Sequence, residues 1–504
     1  CRSDPAHRRG AMTRWRPLLL LLSLPSSRSR TMAPMRRNSG LNLLRRLAES
    51  DPNTVSIDIG GTLAKVVVFQ PESEAPADGQ VPQLQLGEAA EVELGDVRQR
   101  QLSVYLPQLR GSLHFFVFET RHITTIIDFI SRHAPKIAKE DPAHGAPQVK
   151  LRATGGGSFK HAEGFKQIGF DLDVGDELTC TVAGLNFLLH HVSASVGKAE
   201  LFFLPENSYS PLATPDACAE LAANQVSVLT PPDRYIYVSI GSGVSILEIE
   251  RDPASGATRY RRVGGSSVGG STFWGLVKLL TSCDTFDEVI RLTESGSSSN
   301  VDMLVGDIYG GDCSSIGLGS DVIAASFGKI SMQREEERRK GPMLLLRYLA
   351  ALLRHYEEGF WLVVLGIVNL IPGLRQLATF VGLVRFGEAR AASVAMCGRY
   401  RAHDVALSLL RMVSNNIGQI AYMCAKQCGM RHIIFGGSFI RDHPYTIATI
   451  SSGVHFFSQG TARALFMRHD GFVGAIGAYV AGKPIAGTVE RMPPLDPQLS
   501  PHAT

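Results

Sequence analysis

Asp58 stands inside an apolar run, Val55-Ser-Ile-Asp-Ile59, and is followed at once by Gly60-Gly61-Thr62 and then by Lys65. A carboxylate buried without a partner is costly, so this position demands a cation, a metal-held water or nearby N–H groups. Two adjacent glycines allow a tight turn and let the backbone approach a ligand closely. Their N–H groups and the Thr62 hydroxyl can form an anion-binding concavity, with the charge of Lys65 just beyond it. Together these groups suit a phosphate and a hard cation such as Mg²⁺, which prefers carboxylate and water oxygens. A plain Gly-Gly hairpin with Asp58 capping its own turn would use the same residues, and one short glycine motif decides nothing.

The device recurs along the chain. An apolar strand over Val149–Thr154 runs into Gly155-Gly156-Gly157, and Tyr235–Ile249 reads as strand, Gly241-Ser242-Gly243 turn and strand. Arg431–Ile440 reads as a third strand ending at Gly436-Gly437. The Gly- and Ser-rich stretch Arg261–Phe273 precedes an apolar helix over Phe273–Leu280, and N–H groups at a helix start favour anions. A strand–glycine turn–strand unit in each half suggests two related α/β domains facing a cleft.

The elements that must position these turns follow from periodicity and breakers. Ser112–Phe118 reads as a strand. Helices are expected over Thr124–His133, Thr181–His191, Phe286–Thr293, Asn300–Val305, Val405–Lys426 and Gly471–Val480. Residues 71–95 and 205–233 read as loops, the second as a domain boundary, and Asp307–Asp312 reads as a turn.

Composition bounds the rest. The 504 residues, 44% hydrophobic and 19% charged, describe a globular protein of two or three domains. A net charge of +4 gives no sign of a nucleic-acid partner. The eight cysteines are scattered without zinc-finger spacing, which fits reduced thiols inside a cell. His161, His403 and His432 lack companions at metal-ligand spacing and read as structural. Residues 1–50 are rich in Arg and Ser, with no acid between Met12 and Ala48, and read as a transit peptide or a disordered tail. Residues 342–398 hold the run Phe360–Leu370, shorter than the roughly 20 residues that span a bilayer. A membrane anchor, a dimerisation helix and an insertion foreign to the fold are the readings. The charged stretch Gln333–Lys340, which would run naturally into His403–Leu410, favours the insertion.

In order and spacing these motifs resemble the eukaryotic-type (type II) pantothenate kinases, of the acetate kinase, sugar kinase, Hsp70 and actin superfamily. The resemblance rests on Asp58-Ile-Gly-Gly-Thr-Leu-Ala-Lys65, Ala153-Thr-Gly-Gly-Gly157, Asp176-Glu-Leu178 and Ile240-Gly-Ser-Gly-Val-Ser245. It continues through Arg262-Val263, Gly269-Gly270, Asp307-Ile-Tyr-Gly-Gly-Asp312 and Asn415-Asn-Ile-Gly418, covering Val55–Lys340 and Arg401–Gly482. It implies two ribonuclease-H-like (actin-like ATPase) domains with ATP in the cleft between them, and a homodimer. The implied reaction is ATP-dependent phosphorylation of pantothenate to 4′-phosphopantothenate, the first step of coenzyme A biosynthesis, with feedback inhibition by acetyl-CoA or another acyl-CoA.

The resemblance puts the catalytic base on Glu177. ATP and its phosphates are expected on Asp58, Gly60, Gly61, Thr62, Lys65, Gly241, Gly243 and Gly437, with Mg²⁺ on Asp58 directly or through water. Pantothenate or acetyl-CoA falls to Ser242, Ser245 and Arg262. Without it, Glu177 reads as a surface acid at a helix start, where negative charge is stabilising anyway, and Arg262 as a solvated base. The implied domains are 51–230 and 231–341 plus 399–490, flanked by the 1–50 extension and a disordered tail at 491–504. The segment 342–398 has no family counterpart and is either a retained noncoding stretch or a lineage-specific insertion. Phe457 stands where the family tends to place Trp near the dimeric regulatory site. Other readings are another small-molecule kinase of the superfamily and an acyl-CoA-binding regulatory protein without turnover. The expected compartment is the cytoplasm, or a mitochondrion or plastid if residues 1–50 direct transit.

Overall fold

The hairpin at Asp58 forms the centre of a sheet. Its strands are β1 (Val55–Ile59) and β2 (Leu63–Pro71), antiparallel, with Asp58 directly opposite Lys65. Their side chains are buried almost throughout, as expected for strands covered on both faces. The computed structural model describes residues 55–71, 99, 102–127, 149–167, 170–192, 199–206, 220–283, 285–331, 400–440, 443–481, 483, 485 and 487–494. The readings of residues 1–50, the loop after residue 71, the helix past residue 127, Gln333–Lys340 and the apolar segment 342–398 lie outside the described residues.

β3 (Val104–Leu106) and β4 (Gly111–Glu119) extend this sheet beyond β2, and β5 (Val149–Thr154) and β6 (Phe170–Val174) extend it beyond β1. The order is β3-β4-β2-β1-β5-β6, with β1, β5 and β6 mutually parallel and β2 antiparallel to β1. The second sheet contains β7 (Leu201–Phe203), β8 (Val226–Val228), β9 (Arg234–Ile240), β10 (Val244–Arg251) and β11 (Thr258–Ser266). After a two-stranded ribbon of β12 (Met303–Leu304) and β13 (Ile323–Ala325) come β14 (His432–Gly436), β15 (Arg463–Met467) and β16 (Val489–Arg491). Its order is β16-β11-β10-β9-β14-β15-β7-β8. The cores β4-β2-β1-β5-β6 and β11-β10-β9-β14-β15 repeat one arrangement, three antiparallel strands followed by two parallel ones. This is the ribonuclease-H-like order, present twice.

Among the described residues eight α-helices accompany these sheets: α1 (Gly156–Gln167), α2 (Glu177–Phe187), α3 (Gly270–Leu280), α4 (Phe286–Thr293), α5 (Val305–Tyr309), α6 (Ala402–Gln427), α7 (Pro444–Ser458) and α8 (Val473–Val480). α6 and α7 cover the outer face of the second sheet, burying Leu410, Val413, Ile447 and Ile450 against β9 and β14. α2 and α8 fill the layer between the sheets, where Leu185, Phe187 and Ile476 meet Val67 and Phe115 on one side and Tyr235 and Tyr237 on the other. The descent of α8 from β15 into contact with β1 and β5 ties the sheets together.

Several expectations change. The boundary near residue 230 does not separate the sheets, because β7 pairs with β15 and β8 with β7. Part of the loop at 205–233 is therefore strand. Gly156 and Gly157 open helix α1 rather than a turn. The helix expected at Asn300–Val305 is a single 3₁₀ turn followed by β12. Asp307 lies within α5, which stops at Gly310 with φ 74°. Arg491, assigned to a disordered tail, closes β16. Among the described residues no helix is long and apolar enough to cross a membrane.

Candidate active site

A cavity of about 810 Å³ opens where the β1–β2 and β9–β10 turns face each other. It is lined by Asp58, Gly60, Gly61, Thr62 and Lys65 from the first sheet and by Gly241, Ser242, Gly243 and Ser245 from the second. Gly437, after β14, and Glu177, at the start of α2, complete the set. Arg262 alone of the expected residues stands behind this lining. It projects from β11, and its Nε lies 3.3 Å from the Ser245 hydroxyl, which it reaches across the strand pair.

Register explains the charged pair. Asp58 and Lys65 are cross-strand neighbours, and Nζ sits 3.7 Å from Oδ2 with both side chains largely covered. The carboxylate is wedged against main chain. A Cβ at Gly155, which has φ +84°, would lie 2.6 Å from Asp58 Oδ1, and one at Gly474 would lie 2.8 Å from Oδ2. Gly155 therefore makes room for Asp58, a neighbour the sequence reading did not give it.

The turns meet through hydroxyls. Thr62 Oγ1 lies 3.4 Å from Ser242 Oγ and 3.3 Å from Ser271 Oγ. Two expected anion donors are engaged elsewhere. The Gly60 N–H closes its own turn on the Leu63 carbonyl at 3.0 Å. At the start of α3, the N–H groups of Gly270 and Ser271 donate to the Gly241 and Ser242 carbonyls at 2.9 and 3.1 Å. That helix end holds the second turn in place instead of offering itself to a phosphate, which leaves Gly61, Thr62 and the hydroxyls facing the cavity.

Glu177 is the first residue of α2, whose cap is Asp176. Asp176 Oδ1 accepts from the Thr179 N–H and hydroxyl, each at 2.8 Å, and from the Tyr260 hydroxyl at 3.4 Å. A helix start ordinarily favours an ionised acid. Here partial burial, and then the negative charge of Asp58, push the Glu177 carboxyl above the usual range, with Lys65 opposing and Asp176 adding. A carboxyl shifted upward in a cleft beside a second carboxylate is a candidate for proton transfer.

Sequence reading missed two features of the cavity wall. Asp470 and Gly471 enter it from the end of β15, and the Asp470 carbonyl accepts from the Gly437 N–H at 3.1 Å. The signal was there, an acid among glycines in Asp470-Gly-Phe-Val-Gly474 after an apolar strand. Trp274, Lys278 and Phe286 form the far wall, Lys278 Nζ lying 4.8 Å from the Trp274 ring centre. Among the described residues no three His, Cys, Asp or Glu side chains converge on one point. Asp58 and Asp470 share the cavity, and so sparse an oxygen set suits Mg²⁺, which keeps several waters and leans on substrate phosphates.

The family model described as Fumble matches residues 54–481. The Arabidopsis thaliana protein named Pantothenate kinase 2 is 34% identical over 441 residues, and that named Pantothenate kinase 1 is 36% identical over 440. Each match takes in 86% of this chain, with 39% of the first relative and 87% of the second. A Mus musculus protein named 4′-phosphopantetheine phosphatase is 31% identical over 430 residues, which cover 85% of this chain and 40% of that one. The chain thus spans about two fifths of the first and third of these relatives.

Proposed function

The chain belongs to the Fumble family, that of the type II pantothenate kinases, and we propose that it transfers phosphate from ATP to pantothenate. The observation behind this reading is one arrangement. A carboxyl of raised pKa, Glu177, shares a cavity with the Asp58–Lys65 pair, between two glycine turns whose hydroxyls meet.

The hydroxyl oxygen of pantothenate attacks the γ-phosphorus, and Glu177 takes the hydroxyl proton. The bond from that phosphorus to its bridging oxygen breaks, and ADP leaves. Such transfers depend on positioning and charge neutralisation more than on covalent help from the protein. Gly61, Thr62 and Ser242 flank the phosphates, and Lys65 offsets their charge. Asp58, with Asp470 beside it, would hold a Mg²⁺ ion, whose charge would offset that of the phosphate oxygens. Gly437 borders the nucleoside, and its φ of +109° lets the turn after β14 sit on the Ile240 carbonyl, where a Cβ would lie 2.4 Å from the oxygen. Trp274 and Phe286 offer it an aromatic wall.

Ser245 and Arg262 take a carboxylate or phosphate, for which the guanidinium fork is suited. Pantothenate and an acyl-CoA inhibitor therefore compete there. Phe457, half-buried on α7 beside the exposed Phe456, belongs to the dimeric regulatory site, where it lacks the N–H of an indole.

Glu177→Gln should lower ATP-dependent formation of 4′-phosphopantothenate by about 10²- to 10⁴-fold, the usual reach of a general base. Binding of acetyl-CoA should survive. Undiminished turnover in that variant would sink the assignment. Acyl-CoA binding with no turnover in the unaltered chain would establish the regulatory reading instead.

A further inference from the structure

The match to the family ends at residue 481, but the ordered chain continues. Ile485 is buried in the layer between the sheets, and Lys483 Nζ lies 3.7 Å from the Tyr479 ring centre. Val489–Arg491 then adds to the second sheet as β16, parallel to β11, with Thr258 opposite Val489 and Tyr260 opposite Arg491. The Thr258 N–H donates to the Thr488 carbonyl at 2.8 Å, and the Met492 N–H to the Tyr260 carbonyl at 2.6 Å.

The residues of β11 held in this way are those that hold α2. The buried Tyr260 places its hydroxyl 2.8 Å from Thr179 Oγ1 and 3.4 Å from Asp176 Oδ1. Thr258 Oγ1 accepts from Asn186 Nδ2 at 2.8 Å, further along the same helix. Burial alone would raise the Asp176 carboxyl, but bonds from Thr179 and Tyr260, with the Arg491 charge behind them, hold it below its ordinary range. Three links therefore run from β16 to the cavity: strand pairing fixes Tyr260, the Tyr260 hydroxyl holds Asp176, and Asp176 caps the turn that begins with Glu177.

We propose that residues 488–492 act as a positioning strap for the reaction, the Thr488 carbonyl and the Met492 N–H holding β11 so that Tyr260 keeps the Asp176 cap in place and Glu177 is presented to the cavity. Only the kinetic consequence rests on the kinase reading. The mechanical consequence, an ordered first turn of α2, does not. A strand that merely covered a sheet edge would affect overall stability and leave that turn as it is.

The test uses the full chain with Arg491→Ala, Arg491→Lys and Met492→Pro, the last removing the N–H that reaches Tyr260. Hydrogen exchange is followed at the amides of residues 178–181 and, as a reference, in β14. Met492→Pro should speed exchange at 178–181 by about tenfold with β14 unchanged, while Arg491→Ala and Arg491→Lys, which keep the strand's main-chain bonds, should stay close to the unaltered chain. In the kinase assay Met492→Pro should lower kcat several-fold at unchanged KM for ATP. Wild-type exchange at 178–181 in Met492→Pro, or equal acceleration in β14, would overturn the strap. If exchange responds as expected while no form of the chain phosphorylates pantothenate, the strap stands and the kinase assignment falls.

Discussion

Glu177 is held in a state that folding alone does not favour. Burial and the neighbouring Asp58 raise its carboxyl, so its contribution to stability is full below the unfolded pKa and is lost as pH rises through the folded one. The ionised form needed to accept a proton is thus the less stable form. Glu177→Gln should melt no lower than the unaltered chain above that window while losing turnover, which thermal melts across pH would show. For the active chain, kcat should fall as pH drops through the raised value, placing the acid limb above that of an ordinary glutamate. Arg262→Lys keeps the charge but loses the planar fork near Ser245, and it should raise KM for pantothenate about tenfold. An unchanged KM would remove Arg262 from the substrate site. How legible these residues were varied with their context. Asp58 stood out because an acid interrupts an apolar strand. Glu177 did not, since an acid at a helix start is common, and only the resemblance singled it out. Asp470 is reached through a strand at the far end of the chain, and nothing local pairs it with Asp58.

At the scale of elements, the crossing of α2 and α8 seats the helix that begins with Glu177. A Cβ at Gly477 would lie 1.6 Å from the Cys180 carbonyl oxygen, and one at Gly184 would lie 2.0 Å from that of Val473. The helices therefore meet backbone to backbone at two glycines. Gly477→Ala cannot be absorbed by a side chain turning aside, and it should cost at least the 1–3 kcal/mol typical of overpacking. Urea unfolding would measure that loss, and a preserved midpoint would mean that the helices do not meet so closely. The small residues of Gly471–Val480 announced such a contact, and the span of α6 was plain from its long amphipathic period. Helix α1 was not legible, because Gly156-Gly157 at its start carries the local signal of a turn and only the packing of Phe165 beneath the first sheet shows otherwise. β7 and β8, three residues each, are too short to show a period and exist through pairing with β15 and with one another.

For the molecule as a whole, one buried ion pair spans both sheets. His469 Nδ1 lies 2.8 Å from Glu200 Oε2 beside β7, and its Nε2 lies 2.8 Å from the Leu102 carbonyl beside β3. Burial alone would lower the imidazole, but the charge and hydrogen bond of Glu200, with the Leu102 carbonyl, raise it. The stability it confers is full below its unfolded pKa, about 6.5, and is lost as pH rises through the folded value. Removing one partner of such a pair typically costs about 3–5 kcal/mol. Glu200→Ala should show a loss of that order in urea unfolding at pH 6, narrowing as pH rises, and a pH-independent difference would deny His469 its charge. The repeated strand order has a consequence of its own. Read as an ancient duplication, the two sheets carry equivalent hairpins, yet where the first sets Asp58 against Lys65 the second sets Ser239 against Ser245. One copy kept the ions and the other kept the hydroxyls. The repeat therefore relates the backbones but not the fields above them, and a triphosphate bound as proposed would take its direction from that difference.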